Sequence, residues 1–315
     1  MLSAVPTTLY RYRAFDSRTI DSLCQDRLFF ASPSSFNDPL DCMPTIIPNS
    51  SLDTLRDLLK FLIHRRVDAE TTTSLSRARV EGERARAYAR RRASEAASRE
   101  LQDIAYRATN PEYETPREQA EIHLLTSQIE MELMRHYERG VCCFSTAYNS
   151  PLLWSHYGDQ HKGICIGYDL ERNPKPTLHK VVYGGNRNIL TSTIARALLD
   201  NEPVALQDLD RDVLLRKAAG WKYEREWRLI GSHGIQDSCV RLKEVTFGLR
   251  CSSAARHCVI RALDRRDPLL KFYEIRAGRG TFRLHRTAVD QDKLGVYLPA
   301  TACSAEEMFP DGAET

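Results

Sequence analysis

The sequence predicts an α+β protein with a mixed β-sheet core and a helical insertion. Three observations predict it. Short runs rich in Tyr, Phe, Val and Ile recur in residues 8–48 and 140–285, with helical spacings between them. Residues 51–139 are instead rich in Ala, Arg, Glu and Leu, with almost no Gly or Pro before Pro111. The 315 residues, 42% hydrophobic and 28% charged, suffice for one large domain or two modest ones. The expected division is a core from 1–50 and 140–290, an insertion at 51–139, and an irregular tail at 291–315.

The elements follow in order. Residues 9–13 alternate as a strand, with Leu9, Arg11 and Arg13 on one face. Ile20, Leu23 and Cys24 fall at helical spacing within 17–25, and 28–31 is a second strand. Residues 32–41 hold the Pro, Ser, Asn and Asp of a loop. Two to four helices fill the insertion, broken at 110–116 by two prolines, with one helix from about 117 to 137. Residues 141–145 read as a strand. Residues 151–157 read as a short helix, with Ser150 as N-cap and Pro151 at the first helical position. Further strands are expected at 163–168, 180–183, 221–230, 244–249, 271–276 and 282–285. Helices are expected within 191–219 and near 254–262.

Composition excludes some classes of function. Forty-five basic residues nearly balance 42 acidic ones, so only local clustering could favour nucleic acid. No apolar run approaches the roughly 18 residues that span a bilayer. The first residues lack the basic-then-apolar pattern of a signal peptide. Nine irregularly spaced cysteines, several inside apolar strands, fit reduced thiols in a cytoplasmic protein. No P-loop, GxGxxG or GxSxG motif is present, and Cys142, Cys143, His156 and His161 match no zinc spacing. No metal site is therefore expected.

The most informative segment is 221–230. As a strand it would place Glu224, Glu226 and Arg228 on one face, and Tyr223, Arg225, Trp227 and Leu229 on the other. Such a row either faces water as a ladder of ion pairs, the more economical reading from pattern alone, or lines a cleft. In a cleft, Arg11, Arg13 and Arg228 could clamp a pyrophosphate, and a carboxylate could stabilise positive charge. Ser145 and Thr146 end one strand, and Trp154, His156 and Tyr157 follow on a helix. They could wall a pocket for a planar or cationic ring, or Trp154 and Tyr157 could simply pack that helix onto the sheet. The arginines of the insertion are interspersed with acids, as on a solvated helix face.

Five blocks occur in order: LYRYR at 9–13, SFNDPLD at 35–41, CFS at 143–145, WSHYG at 154–158 and YEREWR at 223–228. As a set they resemble a bacterial family of domains of unknown function. More distantly, the order of elements is similar to the ADP-ribosyltransferase fold, with its split mixed sheet. That resemblance implies an NAD-dependent transferase, with NAD as substrate. Glu226 would be the catalytic carboxylate and Glu224 its accessory. Arg11 or Arg13 would hold NAD, Ser145 or Thr146 would orient it, and Tyr157 would stack on nicotinamide with Trp154 beside it. It further implies a bacterial toxin or phage-defence role, an acceptor protein or nucleic acid, and an antitoxin or other partner at the insertion. The SFNDPLD loop has no counterpart in that fold. Two readings from other classes stand beside it. One is a nucleotide- or nucleic-acid-binding module without turnover. The other is a metal-dependent nuclease using Glu224, Glu226 and Asp38.

Overall fold

Alternating apolar residues draw the first and last parts of the chain into one sheet, and the computed structural model describes residues 5–137, 139–266 and 269–290 of it. The opening unit is β1 (Leu9–Arg13), α1 (Ser17–Cys24), β2 (Arg27–Phe30) and β3 (Thr45–Ile47). Three helices follow: α2 (Leu52–Arg77), α3 (Glu83–Arg107) and α4 (Arg117–His136). The chain continues through β4 (Gly140–Ser145), α5 (Pro151–His156), β5 (Ile164–Asp169), β6 (His179–Lys180), β7 (Val182–Tyr183) and β8 (Asn188–Leu190). Next come α6 (Thr191–Leu198), α7 (Pro203–Leu214), β9 (Arg216–Lys217), β10 (Glu226–Gly231) and β11 (Gly234–Asp237). The last elements are β12 (Arg241–Phe247), α8 (Ser253–Leu263), β13 (Lys271–Ala277) and β14 (Leu284–Ala288). The expected tail at 291–315 lies outside the described residues.

Several helix starts are set by side-chain caps. Asp16 accepts the Thr19 N–H at 2.7 Å ahead of α1. Ser51 and Ser252 do the same for α2 and α8, and Ser150 with Pro151 opens α5 as expected. Ala89, Ala93 and Ala97 recur every fourth residue on α3 and are fully buried, so α3 presents a smooth face to its neighbours.

Eight strands form one mixed sheet in the order β14-β13-β12-β5-β1-β4-β10-β6. Within this sheet the β12–β13 pair is parallel and the other pairs are antiparallel. The sheet divides at its middle. β1 pairs with β5 over five residues, yet meets β4 only at Tyr10↔Ser145. Beyond that pair the two halves splay apart, opening a cleft between Arg11–Arg13 on one side and β4 on the other.

Side-chain alternation sorts the core. Trp227, Leu229, Cys142 and Phe144 point into a cluster with α8 residues such as Val259, while Val141 packs with Leu58, Leu125 and Leu209 from α2, α4 and α7. The helical insertion thus shares a hydrophobic cluster with the sheet and with α6–α7. It covers the face toward which Glu226 and Arg228 point.

Three expectations change. Residues 219–224 form a 3-10 turn rather than a strand, Arg225 is left-handed at φ 48°, and β10 begins at Glu226. The cause is side-chain hydrogen bonding to the backbone. The Ser145 hydroxyl donates to the Glu224 carbonyl, and the Tyr183 hydroxyl accepts the Glu226 N–H, which replaces ladder bonds. The strand expected at 180–183 switches partners at buried Val181, β6 pairing with β10 and β7 with β9. The solvent-facing ladder is also excluded. Glu224 and Glu226 are each 4% exposed and Arg228 is 0% exposed.

Candidate functional site

The turn that displaces Glu224 from the strand carries it to the same place as Glu226. Lys217, from β9, reaches between them. Its ammonium lies 2.6 Å from Glu224 Oε2, 3.0 Å from Glu226 Oε2 and 3.3 Å from Asp41 Oδ2. Arg228 completes the cluster. Its Nε donates to Glu226 Oε1 at 2.8 Å, and its Nη2 contacts both Asp41 oxygens at 2.9 and 2.7 Å. Its Nη1 donates to the Leu214 carbonyl at 2.6 Å, and Phe36 lies beneath the guanidinium. Three carboxylates therefore face two cations in a region that water hardly enters. With all five ionised, one negative charge remains.

The two glutamates differ in character. Burial works against ionisation of Glu226, but Arg228 and Lys217 outweigh it and hold its carboxyl down to about 2. Burial dominates at Glu224 and raises its pKa despite Lys217. Burial also opposes the Lys217 charge, yet the surrounding carboxylates raise its pKa. Glu226 is thus a fixed anion, and Glu224 is the member that exchanges a proton more readily. The Tyr157 hydroxyl donates to Glu224 Oε1 at 2.8 Å and accepts from the Asn37 amide at 3.1 Å.

This cluster forms the floor of the cleft opened by the split sheet, a cavity of about 310 Å3. Arg11, Arg13, Ser145, Tyr157, Glu224 and Glu226 all line it. The cluster offers no carboxylate to Arg11 or Arg13. Arg11 donates to the Phe29 carbonyl at 2.7 Å and lies over the Phe144 ring. The like charge of Arg11, with burial second, brings the pKa of Arg13 down to about 10. The two guanidiniums also line a third cavity together with Asp16 and Asp21, and Asp16 interacts with Arg13; a pair of guanidiniums held this close can receive an anion.

Other expected residues are placed elsewhere. Trp154 is 0% exposed; its indole N–H donates to the Tyr148 carbonyl and its ring meets Tyr12 edge-on, so it supports α5 from below. Thr146 borders a second cavity. Arg228, a candidate anion clamp, is committed to Asp41 and Glu226 and has no donor free for a ligand. Asp38 accepts the Leu40 N–H within its own loop and does not line the cleft. Asp41 takes its place beside the glutamates. No group of three or more His, Cys, Asp or Glu side chains suited to a metal occurs among the described residues.

The sequence reading missed Asp41, Lys217, Asn37 and Tyr183. Asp41 and Asn37 belong to the SFNDPLD block, whose recurrence of Asp and Asn was the available signal. Lys217 had none.

The chain is therefore an α+β protein with a divided mixed sheet and a charged cluster at the division. Residues 153–229 match the model of a family described as proteins of unknown function, DUF2971. The match includes the WSHYG and YEREWR blocks, and with them Tyr157, Lys217, Glu224, Glu226 and Arg228. No curated protein matches the chain, and no solved structure does.

Proposed function

We propose that this protein is an ADP-ribosyltransferase-like enzyme that consumes NAD. One observation carries the reading: Arg11, Arg13, Tyr157, Glu224 and Glu226 line a single cleft where the sheet divides, the glutamates from one face of the sheet and the arginine side chains from the face they share with Phe144. NAD would place its pyrophosphate on the Arg11–Arg13 pair and its pyridinium against the Tyr157 ring. The ribose would then lie over the anionic cluster. Cleavage breaks the bond from C1′ to the nicotinamide nitrogen, and the electron pair leaves with nicotinamide. The remaining oxocarbenium is stabilised by Glu226, which stays ionised at neutral pH. The acceptor oxygen or nitrogen then bonds to C1′, and its proton passes to Glu224.

The test is release of nicotinamide from NAD by the full chain, with and without cell lysate, measured by chromatography. Wild type should release it, and Glu226→Gln should not. Because Glu226 also anchors Arg228, the paired variant Arg11→Ala/Arg13→Ala serves as a second probe outside the buried cluster. Background release by wild type, or full release by Glu226→Gln, would overturn the reading.

A second reading, nucleotide binding without turnover, has one observation in its favour. Both Glu226 oxygens are already engaged by Arg228 and Lys217. It predicts saturable NAD binding by calorimetry with no nicotinamide release.

A further inference from the structure

A second cavity, of about 660 Å3, shares only Glu226 with the cleft. Lys180, Lys222 and Arg225 line it, together with Tyr183, Tyr223 and the edge of Trp227. The three cations are exposed, and none has an ion pair or side-chain hydrogen bond among the described residues. For Arg225 the reason lies one residue away on either side. Glu224 and Glu226, the nearest acids in sequence, turn inward to Lys217 and Arg228. Arg225 between them takes the left-handed backbone, φ 48°, a conformation unfavourable for a non-glycine residue. The strained turn sends two carboxylates to the interior and one guanidinium to the second cavity.

Aromatic rings lead from this cavity toward the cleft. Tyr223 lies 6.0 Å from Trp221, Trp221 lies 6.3 Å from His156, and His156 lies 6.2 Å from Tyr157. Tyr223, Trp221 and Tyr157 are half-buried, and His156 is exposed. Unpaired cations would serve any polyanion. Cations interleaved with accessible rings fit a chain of phosphates that also carries planar bases. An acidic peptide would use the charges and leave the rings without partners.

We propose that this cavity and the ring path beside it bind a single-stranded nucleic acid. Lys180, Lys222 and Arg225 take its phosphates, and Tyr223 and Trp221 lie under its bases. Binding of the strand does not depend on NAD cleavage. With NAD in the cleft, such a strand would meet the donor at Glu226, as its acceptor; only that role rests on the NAD reading.

Fluorescence anisotropy of the full chain with a labelled single-stranded oligonucleotide of about 12 nucleotides tests this. Wild type should bind, and its log affinity should fall with log salt at a slope of about −2, as three phosphate contacts require. Lys180→Gln/Lys222→Gln/Arg225→Gln should weaken binding at least tenfold and flatten that slope. Tyr223→Ala should weaken binding at unchanged slope. All four positions are at least partly exposed, so folding is retained. Three results would overturn the proposal: no binding by wild type, equal binding by the triple variant, or displacement of the strand by poly-glutamate as effectively as by unlabelled oligonucleotide. Nicotinamide release, measured separately, can fail or succeed without altering any of these readouts.

Discussion

Arg228 Nη2 lies 2.9 and 2.7 Å from the two carboxylate oxygens of Asp41, a residue brought from the opening loop of the chain to the last third. Both side chains are essentially removed from water. The SFNDPLD loop is thereby fastened to β10 and holds the floor of the cleft. Removing one partner leaves a buried charge uncompensated. Asp41→Asn should destabilise the fold by about 3–5 kcal/mol, read from urea denaturation. A loss below about 1 kcal/mol would show that the pair is not what holds the loop.

Acid should unfold the protein in two windows. His136 is brought down from 6.5 to about 4 by burial, with Arg65 and Arg139 adding to the effect. The unfolded chain therefore binds the extra proton first, and stability falls as pH drops from 6.5 toward 4. Glu226 is held at about 2 against 4.5, so its contribution is present above 4.5 and is lost as pH falls toward 2. Glu224, with a raised pKa, acts in the opposite sense, and its protonation relieves the cluster. Denaturation midpoints measured from pH 7 to pH 3 should fall throughout. His161 and His179, also lowered by burial, act in the same direction, so His136→Gln should flatten the upper window in part and leave the lower one unchanged.

Arg13 should show a conflict between stability and binding. It sits beside Arg11, whose like charge, with burial second, lowers its pKa to about 10. Arg13→Gln should leave the melting temperature unchanged or raise it. The same change should weaken NAD binding by about tenfold or more, since a charge-assisted hydrogen bond contributes about 1.5–3 kcal/mol. Calorimetric titration and a thermal melt on one preparation decide both halves.

The small residues of α3 set how closely it packs. Ala93 is fully buried within the insertion. Ala93→Leu should cost about 1–3 kcal/mol through overpacking, whereas the exposed neighbour Arg92→Leu should change stability by less than about 0.5 kcal/mol.

Much of this fold is legible in the sequence, for local reasons. Strand 9–13 declares itself by its period-two alternation of aromatic and basic residues, and 141–145 as a short apolar run buried on both faces. Ser150 and Pro151 announce α5 because capping is a matter of adjacent residues. The cluster is legible only in part. Glu224 and Glu226 are conspicuous as paired acids, but the backbone between them is bent by hydrogen bonds from Ser145 and Tyr183, some 79 and 43 residues distant. The local alternation therefore points to a strand that tertiary contacts prevent. Asp41 is marked only by the Asp and Asn of its loop, and Lys217 carries no local mark at all. Their meaning arises when the order of strands places β10 beside β4 and brings the opening loop and β9 against it. Trp154 misleads for a related reason: an aromatic near a candidate pocket has the same sequence appearance whether it faces the ligand or the core.

A crystal structure of the wild-type chain soaked with NAD tests the central claim most directly. The pyrophosphate should lie between Arg11 and Arg13, the nicotinamide ring against Tyr157, and C1′ within about 3.5 Å of Glu226. NAD bound with its phosphates away from the arginine pair, or a cleft that stays empty at saturating NAD, would contradict it.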